Sequence, residues 1–196
     1  MSLLLVKVGG SLFDLPTLGI AIEHWLAQQS EGQILLLAGG GDFVEALRKY
    51  QPLHHLNDVD SHWLAVRALG ISARMLAQIL PGKPLLEEFE PSLPQERILV
   101  LDGHRFLEWD EKNTGALPKS WSVTTDSIAV RAGGQLGASR VVLLKSRDFP
   151  FDGNWLKAAR EGYVDGHFPT IAAETTLSLE CLNFRGWMQL AGYQKS

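Results

Sequence analysis

Two lysines, one aspartate and two glycine clusters carry the chemistry this chain offers. Lys7 is the one charge in the apolar run Leu3 to Val8, and Gly9-Gly10-Ser11 follow at once. An ammonium group among apolar neighbours is costly unless an anion meets it. Glycines let backbone N–H groups approach a ligand closely. The stretch therefore reads as a candidate phosphate cradle; the plainer alternative is an edge-strand lysine before an ordinary turn. A second cluster, Gly39-Gly40-Gly41, separates another apolar run from a helical segment, where free N–H groups and the helix dipole favour an anion. Lys145 ends a third run, Ser139 to Leu144, and Ser146, Arg147 and Asp148 follow. Asp126 lies in Thr124-Thr125-Asp126-Ser127, a composition suited to a helix N-cap.

Together these are parts for phosphoryl transfer, which proceeds mainly by positioning and by neutralising charge on the transferred group. Lys7 and Lys145 can hold phosphates from two sides. Asp126 between two ammonium groups would have a depressed pKa, which makes it an organiser and a poor general base. Against this stand a plain helix cap for Asp126 and a snorkelling strand-end lysine for Lys145. Recurrence favours the chemical reading: the same grammar appears three times at a strand's C-terminal end, where ligands bind in open α/β sheets.

The elements that must position these groups alternate. A strand, a glycine turn and a helix occur twice in the first fifty residues, which signals a parallel sheet with helices on its faces. The apolar run at Leu3 reads as a central strand buried on both faces. Leu15 to Gln29 has helical spacing, with Asp14-Leu15-Pro16 as its start. Residues Pro52 to Asp60 read as a loop. Ser61 to Leu80 reads as a long helix, apolar over most of its girth, buried or at a subunit interface. Leu85 to Gln95 reads as a short strand and a loop, and Arg97 to Asp102 as a strand. A mobile polar connection is expected through Leu117. A helix is expected from Thr124 to Gly137, a short helix near Ile171 to Ala173, and a last strand around Leu179 to Leu182.

Composition bounds the rest. The chain has 196 residues, 45% hydrophobic and 20% charged, with a net charge of −4. This is the profile of one globular domain over 1–196, and it speaks against a general nucleic-acid binder. Cys181 is the single cysteine, so no intrachain disulfide forms and a reducing compartment fits. No Cys/His cluster has zinc spacing, and no metal-ligating protein site is expected. His54-His55 reads as surface. The start lacks a basic signal-peptide region and the apolar runs are too short to span a bilayer. The expectation is a cytoplasmic protein, with no membrane partner and a homo-oligomeric state.

Val6-Lys7-Val8-Gly9-Gly10-Ser11, Ala38-Gly39-Gly40-Gly41, Thr124-Thr125-Asp126-Ser127-Ile128-Ala129 and Val142-Leu143-Leu144-Lys145-Ser146 follow one another as in the amino acid kinase superfamily, which the chain resembles over most of residues 3 to 170. The resemblance implies a three-layer αβα sandwich with a mainly parallel central sheet. It implies an ATP-dependent kinase using ATP and Mg²⁺. Lys7 with Gly9, Gly10 and Ser11 would hold the transferred phosphoryl. Gly39, Gly40 and Gly41 would bind the acceptor with Thr124 and Thr125; Asp126 would organise the lysines. Lys145, Ser146 and Asp148 would lie on the nucleotide side. Two features depart from the pattern: Asp148-Phe149-Pro150-Phe151-Asp152-Gly153 replaces the usual nucleotide loop, and a later family lysine has no match. His62-Trp63, Trp121 to Ala129 and Val164 to Pro169 are similar to a short subgroup, the kinases of methanofuran biosynthesis. That likeness implies a small phosphate-monoester acceptor, an aminomethylfuran-methyl phosphate, with Asp58 or Asp60 as candidate partner of its ammonium group. Uridylate kinase, a carboxylate kinase and a non-catalytic nucleotide- or oxyanion-binding protein of this fold remain the alternatives.

Overall fold

The computed structural model describes residues 2–89 and 93–193. Its strands are β1 (Leu3–Val8), β2 (Gln33–Ala38), β3 (Leu85–Leu86), β4 (Ile98–Leu101), β5 (Arg140–Lys145) and β6 (Ser178–Asn183). All pairings are parallel, in the order β3-β4-β2-β1-β5-β6. The helices are α1 (Leu18–Ala27), α2 (Gly41–Leu53), α3 (Asp58–Ile79), α4 (Gly103–Asp110), α5 (Thr125–Gln135), α6 (Trp155–Arg160), α7 (Phe168–Glu174) and α8 (Phe184–Leu190). Every residue of β1 is buried, because neighbours flank it on both sides and helices cover both faces.

Strand parity assigns the faces. Leu3 and Leu5 join Leu37, Leu143, Phe106 of α4, Ile128 of α5 and Phe168 of α7 in one core layer. Leu4, Val6 and Val8 join Leu36, Leu144, Ile22 of α1 and Phe184 of α8 in the other. Each fully buried leucine or phenylalanine contributes about 1.5–3 kcal/mol, so the sheet is held from both faces as an αβα sandwich. Helix α3 serves both layers, with Val66 and Leu69 in the first and Ala73 and Leu76 in the second.

The structure corrects several boundaries. Helix α1 starts at Leu18 after Thr17, and Asp14 instead pairs with Arg185 at 2.6 Å. Pro52 sits inside the last turn of α2. The expected loop shrinks to a few residues because Asn57 caps α3, accepting the Asp60 N–H at 2.9 Å. The connection after Asp102 is helical at its start. Asp102 accepts the His104 and Arg105 N–H groups at 2.9 and 3.2 Å, and Phe106 and Leu107 are buried. A bidentate Arg131–Asp110 pair, both contacts 2.8 Å, ties the end of α4 to α5. Helices α6 and α8 also lie where no helix was expected. Part of the loop expected after Leu86, residues 90–92, lies outside the described residues. Among the described residues no helix is long and apolar enough to cross a membrane.

Candidate active site

The same parity that builds the core aims the chemistry. Lys7 shares the face of Leu3 and Leu5, and Lys145 shares that of Val141 and Leu143, so both side chains leave the sheet toward α5. Lys7 pairs with Leu143 in register, which places Lys145 one pleat repeat further along β5. Asp126, in the first turn of α5, meets both. Lys7 Nζ lies 2.9 Å from Asp126 Oδ1, and Lys145 Nζ lies 2.5 Å from Asp126 Oδ2. Lys145 also donates to the Tyr163 carbonyl at 2.7 Å. The three side chains are no more than 12% exposed.

Burial alone would raise the Asp126 carboxyl; the adjacent Lys7 and Lys145 outweigh it and hold the group below the usual carboxylate range. Burial and then the Lys7 charge pull the Lys145 ammonium down, against the pull of Asp126. Two cations share one anion, so the cluster carries a surplus positive charge in a screened-off place. A surplus of this kind favours an anion as ligand.

The two glycine turns form one surface beside this cluster. A Cβ on Gly10 would stand 2.2 Å from the Gly41 nitrogen, and one on Gly39 would stand 2.5 Å from the Gly10 nitrogen. The turns after β1 and β2 therefore touch backbone to backbone, and Gly41 has φ +53. Their contact is what demands glycine. Gly9 N–H donates to the Leu144 carbonyl at 2.9 Å and Ser11 Oγ to Ser146 Oγ at 3.1 Å, which joins the ends of β1 and β5. The chain leaves β1 toward β2 on one side, while β5 leads to β6 on the other. This is a topological switch point, the usual ligand crevice of such sheets.

A cavity of about 310 Å³ opens onto Lys7, Gly10, Ser11, Gly40 and Gly41. Thr124, Thr125, Val123 and Ile128 form one wall, and His62, Ala65, Val66 and Leu69 of α3 another. Asp42, Glu45 and Arg48 of α2 complete it. Arg48 stacks over Trp121 at 4.8 Å, and the Trp121 indole N–H donates to Gln51 Oε1, which closes one end. Burial lowers the pKa of His62, with Glu111 opposing and Lys119 adding to the shift, so the imidazole is neutral near pH 7.

Of the residues singled out from sequence, the structure gathers Lys7, Gly9, Gly10, Ser11, Gly39, Gly40, Gly41, Thr124, Thr125, Asp126, Lys145 and Ser146 at one end of the sheet. Asp148 lies apart from the cavity and accepts from Asn183 at 2.9 Å. Asp58 and Asp60 do not line the cavity: Asp58 accepts from Gln51 at 2.8 Å and Asp60 from Asn57 at 2.6 Å. As site residues, sequence reasoning missed Asp42, Glu45 and Arg48, and it marked His62 and Trp121 only as points of likeness to the short subgroup. The signal was present as helical spacing after the second glycine turn, and at the start of the long helix, whose face was read as buried or at a subunit interface. Among the described residues no group of three or more His, Cys, Asp or Glu side chains could hold a metal ion.

No family model matches the chain. The [5-(aminomethyl)furan-3-yl]methyl phosphate kinase of Methanocaldococcus jannaschii is 26% identical over 151 residues, spanning 76% of this chain and 68% of that protein. Uridylate kinase from Archaeoglobus fulgidus superimposes with a TM-score of 0.61 at 14% identity, covering 91% of this chain and 89% of its own. UMP kinase from Bacillus anthracis gives 0.60 at 13% identity, covering 93% and 87%. These likenesses bear out the resemblance to the amino acid kinase superfamily and its short subgroup; the solved structures carry the αβα fold.

Proposed function

We propose that this chain, built on the amino acid kinase fold, is an ATP-dependent kinase that phosphorylates a small phosphate monoester. The observation that carries the reading is the buried Lys7–Asp126–Lys145 cluster facing the joined glycine turns. Its surplus positive charge and glycine cradle fit the polyphosphate of ATP. The Mg²⁺ that accompanies ATP would be held by phosphate oxygens, because Asp126 is engaged by two lysines. It would supply charge neutralisation there.

In the step, an oxygen of the acceptor phosphate forms a bond to the γ-phosphorus, and the bond from that phosphorus to the bridging oxygen of ADP breaks. Lys7 and the Gly10 N–H, which line the cavity, take up the charge of the moving group. Lys145 serves the nucleotide side, and Asp126 keeps both ammonium groups charged and in place. A phosphate monoester has a second pKa near 6 and arrives without a proton to remove. Asp126, held ionised below the usual range, is a poor base, and the lowered pKa makes His62 a weak one.

The acceptor we assign is [5-(aminomethyl)furan-3-yl]methyl phosphate or a close analogue. Three features support it: the apolar Val66, Leu69, Val123 and Ile128 in the cavity lining, the acidic Asp42 and Glu45 in the same lining, and the relative from Methanocaldococcus jannaschii named for this acceptor. Asp42 and Glu45 replace Asp58 and Asp60 as partners for the ammonium group. Leu64 and Ile71, seven residues apart on α3 and both exposed, support a homo-oligomer joined through that helix.

The test is phosphoryl transfer from labelled ATP·Mg²⁺ to that furan phosphate, UMP, isopentenyl phosphate and acetylglutamate. A labelled diphosphate from the furan phosphate alone is expected. Labelled UDP instead would move the protein to the uridylate kinases, and ATP binding with no product would favour a nucleotide-binding protein.

A further inference from the structure

We propose that Asp165 is the positioning residue of this site: its carboxylate sets where Asp126 and Lys145 stand. The proposal rests on the kinase reading of that cluster. Asp165 is 9% exposed and is not among the residues lining the cavity, so it acts through its neighbours. Oδ2 accepts from Thr124 N–H at 3.0 Å, Thr124 Oγ1 at 2.9 Å and Ser127 N–H at 3.0 Å. Oδ1 accepts from Ser127 Oγ at 2.6 Å, His167 N–H at 3.1 Å and Phe168 N–H at 3.0 Å. An ordinary helix cap satisfies one or two N–H groups of its own helix. Here one carboxylate takes six donors and joins the N-termini of α5 and α7. It grips Thr124 and Ser127, the residues on either side of Thr125-Asp126.

The same short segment holds the lysine. Two residues before Asp165, the Tyr163 carbonyl accepts from Lys145 Nζ at 2.7 Å, and Lys145 in turn holds Asp126 at 2.5 Å. A closed ring results, running Asp126, Lys145, Tyr163, Val164, Asp165, Ser127 and back to Asp126. Rotation of the first turn of α5 would break the Asp126–Lys145 contact, and the ring opposes it from both ends. A closed ring of this kind preorganises charges so that they need not rearrange when the reaction begins.

Asp165→Asn keeps the shape and opens the ring. Whichever way the amide lies, an NH₂ group faces N–H and O–H donors. The readout is the titration of Lys145, followed by NMR on lysine-labelled protein and assigned with Lys145→Arg, beside turnover at saturating substrates. The groups that face Lys145 are Lys7, Asp126, Tyr163 and Cys181. In the folded variant the Lys145 midpoint should move further down, because Asp126 is the group that holds it up, and turnover per folded molecule should fall at least tenfold. A role in stability alone would lower the melting temperature and leave both unchanged. An unmoved titration, or wild-type turnover, in folded Asp165→Asn overturns the proposal. If that variant does not fold, Ser127→Ala, which deletes one of the six bonds, decides by the same titration: a smaller downward move is expected, and none overturns it. If the wild type phosphorylates no acceptor, the kinase reading fails by itself, and the Lys145 titration still decides on Asp165.

Discussion

Replacing Lys7 by methionine should separate turnover from stability. Lys7 Nζ lies 2.9 Å from Asp126 Oδ1, and two unit charges at about that distance attract by ~6 kcal/mol at an effective dielectric near 20. Against this stands the desolvation of a buried ammonium, several kcal/mol for each ion. Repulsion from Lys145, 2.5 Å from the same carboxylate, adds to the cost. In the variant Asp126 keeps Lys145, so no carboxylate is stranded, and methionine matches the lysine stem in a covered strand. The terms nearly cancel. The expected change in stability is within about 2 kcal/mol in either direction, which for a domain of this size is roughly 4–8 °C in melting temperature at most. Turnover should fall ~10²–10³-fold, the usual cost of deleting one preorganised donor to developing negative charge. Calorimetry and a coupled ADP-release assay on one preparation measure both. Full turnover would refute the role given to Lys7. A melting temperature lower by more than about 15 °C would refute the claim that Lys7 is kept for its ligand and not for the fold.

Gly10→Ala should fail for the opposite reason. Its Cβ would stand 2.2 Å from the Gly41 nitrogen and 2.5 Å from its Cα. Neither turn has a side chain that can move aside, so we expect a loss of ~1–3 kcal/mol by overpacking and more than tenfold lower turnover. Gly134→Ala in α5, where an added Cβ meets nothing within 4 Å, should instead gain roughly 0.5–1 kcal/mol; denaturant melts of the pair check the contrast. Cys181 gives a pH prediction. Burial pushes its thiol up to about 11, with Lys145 pulling the other way. Near pH 8 its thiolate fraction should be on the order of 100-fold below that of an ordinary thiol. Alkylation of the native protein should be slower by that factor and recover in urea, and a native rate within threefold of the denatured one would contradict this environment.

Much of the fold could be read because its strands are buried on both faces. The runs at Leu3, Gln33, Arg97 and Ser139 needed no partner to identify them, and all four became neighbours in one parallel sheet. Helix α4 escaped because its stability is tertiary: Phe106 and Leu107 find the core, and Arg131 holds Asp110 from 21 residues away. Its local signal, Asp102 as a cap before Gly103, was read as the end of a strand. Helices α6 and α8 are six and seven residues long, too short for periodicity to separate helix from loop. At the site, Lys7, Asp126 and Lys145 stood out because each is a charge in an apolar or capping context. Asp42, Glu45 and Arg48 look in sequence like any solvated helix face. Only the packing of α2 against α3 and Trp121 makes them a cavity wall.

The protonation state of Asp126 connects the fold to the class of acceptor. A carboxylate pinned between two ammonium groups loses its value as a base, because the charges that hold it there also hold it ionised. What it provides is the continued charge of its partners. Lys145 is already drawn down by burial and by Lys7, and without Asp126 it would go further. A site organised this way can stabilise phosphoryl groups but is poorly equipped to take a proton from an alcohol. An acceptor that is already anionic suits it, and so does a cavity lined by Lys7 and Gly10 together with the apolar Val66, Leu69, Val123 and Ile128. Burying two cations with one anion leaves a surplus positive charge that a bound phosphate would offset. Lys7 is the penultimate residue of β1, so a phosphate at the Gly10 turn would be within its reach.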